Sequence, residues 1–127
     1  MEKSKFLGEY SINASRKMLF PYISTASGLS QWFADDVNIN EDKVYSMLWD
    51  GELNRAKIVS IKANHHIKFE FEVPGDDDPN YIEIKLEMNE LTQEVYISIT
   101  DYSDIDNNET SDLWKGLIHD LKEIVGG

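Results

Sequence analysis

The residues able to do chemistry are few and scattered. The chain has no cysteine, which removes thiolate catalysis, disulfides and Cys-ligated metals. Its histidines are His65, His66 and His119. Adjacent residues of a strand face opposite ways, so His65 and His66 do not converge on one metal. His119 stands alone on a C-terminal helical pattern, and no His-x-x-x-His spacing occurs. Asp76-Asp77-Asp78 is an acidic run in a loop-forming stretch, where solvated carboxylates are ordinary. Asp104, Asp106 and Asn108 begin like a calcium loop, but Glu109 stands where glycine is required and Lys115 where the bidentate glutamate belongs. There is no nucleophile elbow, P-loop or dinucleotide fingerprint. The sequence therefore calls for no metal and no cofactor and singles out no catalytic residue. Tyr45, Tyr96 and His66 are the conceivable acids or bases, with no spacing to select among them.

The remaining constellation is apolar. Tyr45, Met47, Trp49, Phe69, Phe71 and Tyr96 on strands, and Trp114, Leu117, Ile118 and Leu121 on a helix, are the candidate walls of a ligand pocket. The competing outcome is that the same side chains fill a core. Trp32 and Phe33 are expected to be packing residues that fix a helix pair to the sheet edge. On the pocket reading, Trp114→Ala abolishes binding and leaves the fold intact.

These residues must be held by strands and one long helix. Phe6, Gly8, Tyr10 and Ile12 alternate with polar neighbours, which predicts a first strand. Ser15 is the cap of a helix carrying Met18, Leu19, Tyr22 and Ile23, which Pro21 is expected to kink or shorten. Leu29, Trp32 and Phe33 mark a second short helix. The period is then two from Val37 to Tyr102, in strands near 37–39, 44–49, 53–61, 67–73, 82–88 and 95–102. Asp50-Gly51 is a hairpin signal, Asn64-His65 a further turn, and 74–80 a loop by composition. A stripe of Leu113, Trp114, Leu117, Ile118, Leu121, Ile124 and Val125 predicts a closing helix, which must bury itself against the antiparallel sheet.

The chain of 127 residues is the length of one domain. Its 41% apolar content is enough to close a core. A net charge of −12 argues against nucleic acid and against anionic membrane surfaces, both of which need Lys and Arg. No apolar run approaches the roughly 20 residues of a membrane span. The first residues carry no apolar signal segment, so a cytoplasmic location is expected.

The order of elements resembles the helix-grip fold of the START-like superfamily, and within it the small bacterial branch of the activators of the heat-shock-protein-ninety ATPase. Leu19-Phe20-Pro21-Tyr22-Ile23 with Gly28-Leu29-Ser30-Gln31-Trp32-Phe33-Ala34 is similar to that branch's N-terminal helix pair. Trp49-Asp50-Gly51, Ile67-Lys68-Phe69-Glu70-Phe71 and Ile99-Thr100-Asp101-Tyr102 resemble its strand signatures, and Leu113-Trp114 with Leu117 and Leu121 the start of its closing helix. The resemblance implies an α+β fold: a seven-stranded curved antiparallel sheet wrapped around the C-terminal helix, with two short helices between strands 1 and 2. It also implies a cavity between helix and sheet for a small apolar or amphipathic molecule. The alternatives are a protein-interaction module with a filled core, chaperone-associated and steered to a basic partner by the negative charge, and a cyclase-type enzyme.

Overall fold

In the computed structural model, residues 3–72, 75 and 77–126 are described. Strand β1 (Ser4–Ile12) is followed by α1 (Arg16–Ser24) and α2 (Ala26–Leu29). Six strands follow: β2 (Asp36–Ile39), β3 (Val44–Trp49), β4 (Glu52–Lys62), β5 (His66–Phe71), β6 (Tyr81–Met88) and β7 (Val95–Ser103). The chain then enters α3 (Asn107–Val125). All seven strands form one antiparallel sheet in the order β1-β7-β6-β5-β4-β3-β2. The meander from β2 to β7 leaves β2 at one edge, and β1 closes the other edge against β7.

Local chemistry sets the turns and caps. Asp50 and Gly51 both adopt positive φ, the backbone a tight two-residue hairpin needs. Asp35 Oδ2 accepts the Asp50 N–H at 2.9 Å, which ties down the β3–β4 hairpin. Ser15 caps α1 through Met18 N, and Asp106 caps α3 through Asn108 N at 2.7 Å. The calcium-like acidic segment thus includes a helix N-cap. Pro21 lies inside α1 without ending it, because the helix runs on to Ser24. The sequence expectation for strand 67–73 extends onto Val73, which with Pro74 and Asp76 lies outside the described residues.

One face of the sheet carries the core. Alternation places Tyr45 and Met47, Ile67 and Phe69, Ile84 and Leu86, and Ile97 and Ile99 inward, where all are buried. The helix contributes Trp114, Ile118 and Leu121. Leu113 and Ile124, which the sequence places in the same stripe, are 53% and 37% exposed, so the buried stripe is narrower than its apolar composition.

Candidate functional site

The aromatic core is pinned by polar handles. Trp32 Nε1 donates to Tyr22 O at 2.8 Å, Tyr45 Oη to Ser24 O at 2.6 Å and Trp49 Nε1 to Phe33 O at 2.6 Å. Two side chains of β3 thereby hold the end of α1 and the turn after α2. Phe33 sits at the centre of the cluster, with ring centroids 5.3 Å from Trp49, 5.7 Å from Trp114 and 6.5 Å from Phe69. Its ring meets Phe69 of the packed core and Trp49 of the cavity wall, so it stands between the two.

On one side of Phe33 lies a cavity of about 390 Å³ between the sheet and the first half of α3. Trp49, Phe71, Ile82, Trp114 and Leu117 form apolar walls; Asn54, Asn80, Asp101 and Ser103 add polar groups. Apolar walls with a few convergent polar groups are the usual make-up of a small-molecule site. Another cavity, about 770 Å³, opens at the other end beside Arg16, Lys17 and Lys122. Its lining is mostly loop and helix-end residues and offers neither an aromatic wall nor a buried carboxylate.

The ten side chains expected to line a pocket divide three ways. Trp49, Phe71, Trp114 and Leu117 line the cavity. Tyr45, Met47, Phe69, Ile118 and Leu121 lie in the packed core instead. Tyr96 is a correction: the inward residues of β7 are Val95, Ile97, Ile99, Asp101 and Ser103, so Tyr96 projects from the opposite face. There its hydroxyl donates to Glu94 at 2.8 Å. None of the conceivable acids and bases lines the cavity. Tyr45 is committed to Ser24 O, and His66 Nε2 is 2.8 Å from Ser60 Oγ. Phe33, expected only to pack, also lines the cavity.

Asp101 is the cavity residue that the sequence expectations leave without a role. It takes an inward position on β7 in register with Ile82, is only 9% exposed and lines the cavity. Trp114 Nε1 donates to its Oδ2 at 2.7 Å. Burial pushes the Asp101 carboxyl above the ordinary aspartate range, and the Trp114 bond opposes that shift. The signal was strand parity: a charged residue continues the apolar series Val95, Ile97, Ile99.

The burial of Asp101 has a stability consequence. Its raised folded-state pKa means that the native chain holds this proton more tightly than the unfolded chain does. The stabilising contribution is full below the ordinary carboxylate pKa and is lost as pH rises through the folded-state value. Asp50, Glu52, Glu72 and Arg55 line the same cavity and complete the charges facing it. Asp101→Asn keeps an acceptor for Trp114 and removes the buried charge. The variant is therefore expected to melt higher than the parent at pH 7, with the difference closing as pH falls. Paired thermal melts across that range check this; a difference that stays constant contradicts it.

The fold and cavity together define a helix-grip domain: a sheet folded over its C-terminal helix, with a pocket between them. A profile for START-like superfamily domains matches residues 1–127, and the chain belongs to that superfamily. No curated protein matches it in sequence. Among solved structures it is similar to BfR322 from Bacteroides fragilis, at 39% identity over 91% of this chain and 83% of that one, with a TM-score of 0.61. It has the fold of the Aha1 dimer from Colwellia psychrerythraea, at 15% identity, 96% coverage of both chains and a TM-score of 0.78. It also has the fold of DynU16, a protein of the dynemicin biosynthetic locus, at 12% identity over 94% of this chain and 46% of that one, TM-score 0.72. No helix among the described residues is long and apolar enough to cross a membrane.

Proposed function

We propose that this protein binds a small amphipathic molecule, without catalysis, in the cavity between α3 and the sheet. The observation that carries the reading is the cavity itself: about 390 Å³ walled by Trp49, Phe71, Ile82, Trp114 and Leu117. Burying the apolar part of a ligand there is favourable by about 25 cal/mol per Å² removed from water. Tyr45, Tyr96 and His66 do not line the space, and Asp101, the acid that does, is engaged by the Trp114 indole.

Native against denaturing mass spectrometry of freshly purified protein tests the reading. A reproducible adduct, lost on denaturation, is the expected result. Leu117→Trp locates the site, because a larger ring fills open space instead of displacing packed atoms. That variant should retain its melting temperature within a few degrees and lose at least about tenfold in affinity for an apolar fluorescent probe. Unchanged probe affinity in a folded Leu117→Trp protein overturns the location.

A second reading, a protein-interaction surface, draws on Leu53, Val59 and Ile61, whose side chains are 60%, 43% and 50% exposed along β4. The net charge of −12 suits a basic partner. Capture of such a partner that is lost between low and moderate salt, from protein carrying no adduct, would favour this reading over the first.

A further inference from the structure

We infer that the molecule held in this cavity carries a protonated amine on an apolar body, with the amine seated at Asp101. The inference rests on the cavity-binding reading and deepens it.

Three observations converge. Asp101 Oδ2 is taken by the Trp114 indole N–H, and among the described residues Oδ1 has no protein donor. The carboxylate is nine-tenths buried beside an aromatic wall, yet Oδ1 is not sealed off, so a cationic donor in the cavity can reach it. Asn80 borders the same space. Its Oδ1 is sealed from solvent and has no hydrogen-bond partner among the described residues. Tyr81 pairs with Tyr102 and Ile82 with Asp101, so Asn80 stands one residue beyond the ladder, on the inward side with Ile82. Asn80 and Asp101 are therefore diagonal neighbours, with Cα atoms roughly 7–8 Å apart. Both residues line the same cavity; the Asp101 carboxylate is the acceptor open to it, and Asn80 Oδ1 joins it only when the amide turns toward the space.

The remaining charges agree. Asp50, Glu52 and Glu72 lie around the cavity with Asp101, against Arg55 as the one cation of the lining among the described residues. A carboxylate-bearing amphiphile would add charge of the same sign beside Asp101. A neutral alcohol would offer one donor and no compensating charge. A primary ammonium brings three N–H donors and the opposite charge. Trp49, Phe71 and Leu117 supply the apolar wall for the remainder of the molecule.

Octylamine, octanol and octanoate share a tail and differ in headgroup, so titration calorimetry of the whole protein with each, below micellar concentrations, separates the contributions. Octylamine is expected to bind at least about tenfold more tightly than octanol, and octanoate more weakly than both. In Asp101→Asn the amine and alcohol affinities should come within about threefold of each other. Octanol binding as tightly as octylamine to the parent protein overturns the amine assignment and leaves the cavity reading standing. Binding of none of the three overturns both. The parent protein's amine-to-alcohol ratio decides the matter even if the variant misfolds. An unaltered preference in a folded Asp101→Asn protein removes Asp101 from the site.

Discussion

Trp114→Ala is expected to lower the stability of the domain by about 3–5 kcal/mol, the range for truncating a large buried aromatic. The side chain is 1% exposed and packs against Phe33 and Trp32, with ring centroids 5.7 and 6.3 Å away. It is also the hydrogen-bond donor to Asp101. Removing it takes away a core aromatic and the partner of a buried carboxylate in one step. A domain of this size has about 5–15 kcal/mol in total, so the variant stands close to unfolding. This revises the sequence expectation that Trp114→Ala leaves the fold intact: the residue belongs to the cavity wall and the core at once. Trp114→Phe separates the two roles, since it keeps most of the ring packing and loses the donor. Its expected cost is smaller, about 1–3 kcal/mol. Urea titrations followed by far-ultraviolet circular dichroism check both. A Trp114→Ala loss below about 1 kcal/mol would mean that the surrounding rings collapse onto the gap.

Much of this architecture was legible because a strand can bury only alternate residues. In β5, Ile67, Phe69 and Phe71 against Lys68 and Glu70 leave one choice of inward face, and the structure uses it. The same rule applied to β7 places Val95, Ile97 and Ile99 inward, and it argues against Tyr96, whose aromatic type alone suggests a pocket wall. Tyr96 is aromatic, but its hydroxyl finds Glu94 on the solvated side. Parity also marks Asp101, which the family resemblance places in a strand signature without giving it a role. Depth along the groove was not legible. Met47 and Trp49 share a face of β3, as do Phe69 and Phe71 on β5, yet the first of each pair is core and the second borders the cavity. The boundary is drawn by Phe33, which reaches the sheet from the turn after α2. No local pattern in β3 or β5 records where a residue from another element will land.

The placement of Phe33 depends in turn on Gly28, and Gly28→Ala is expected to be the most damaging single-methyl addition in the chain. A Cβ at residue 28 would meet the carbonyl oxygen of Pro21, and would stand 2.7 Å from the Tyr22 Cα. These are backbone atoms of α1, so no side-chain rotation relieves the clash. The two short helices can cross this closely only because position 28 has no side chain. Thr25 holds the crossing from both directions: its Oγ1 donates to Pro21 O at 2.7 Å and accepts from Gly28 N at 2.9 Å. Forcing α2 away from α1 strains those bonds and shifts the turn that delivers Trp32 and Phe33. The expected loss is about 3 kcal/mol, at the upper end for overpacking, because the neighbours are main chain. Gly116→Ala is the matched control: a Cβ there meets nothing within 4 Å, and alanine favours a helix interior by about 1 kcal/mol over glycine. Melting temperatures should therefore move in opposite directions for the two substitutions, and a Gly28→Ala protein as stable as the parent would show that α1 and α2 slide apart freely. If the crossing sets the cavity, Gly28→Ala also weakens binding of an apolar probe at temperatures where the protein is still folded, because Phe33 no longer closes the inner end of the space.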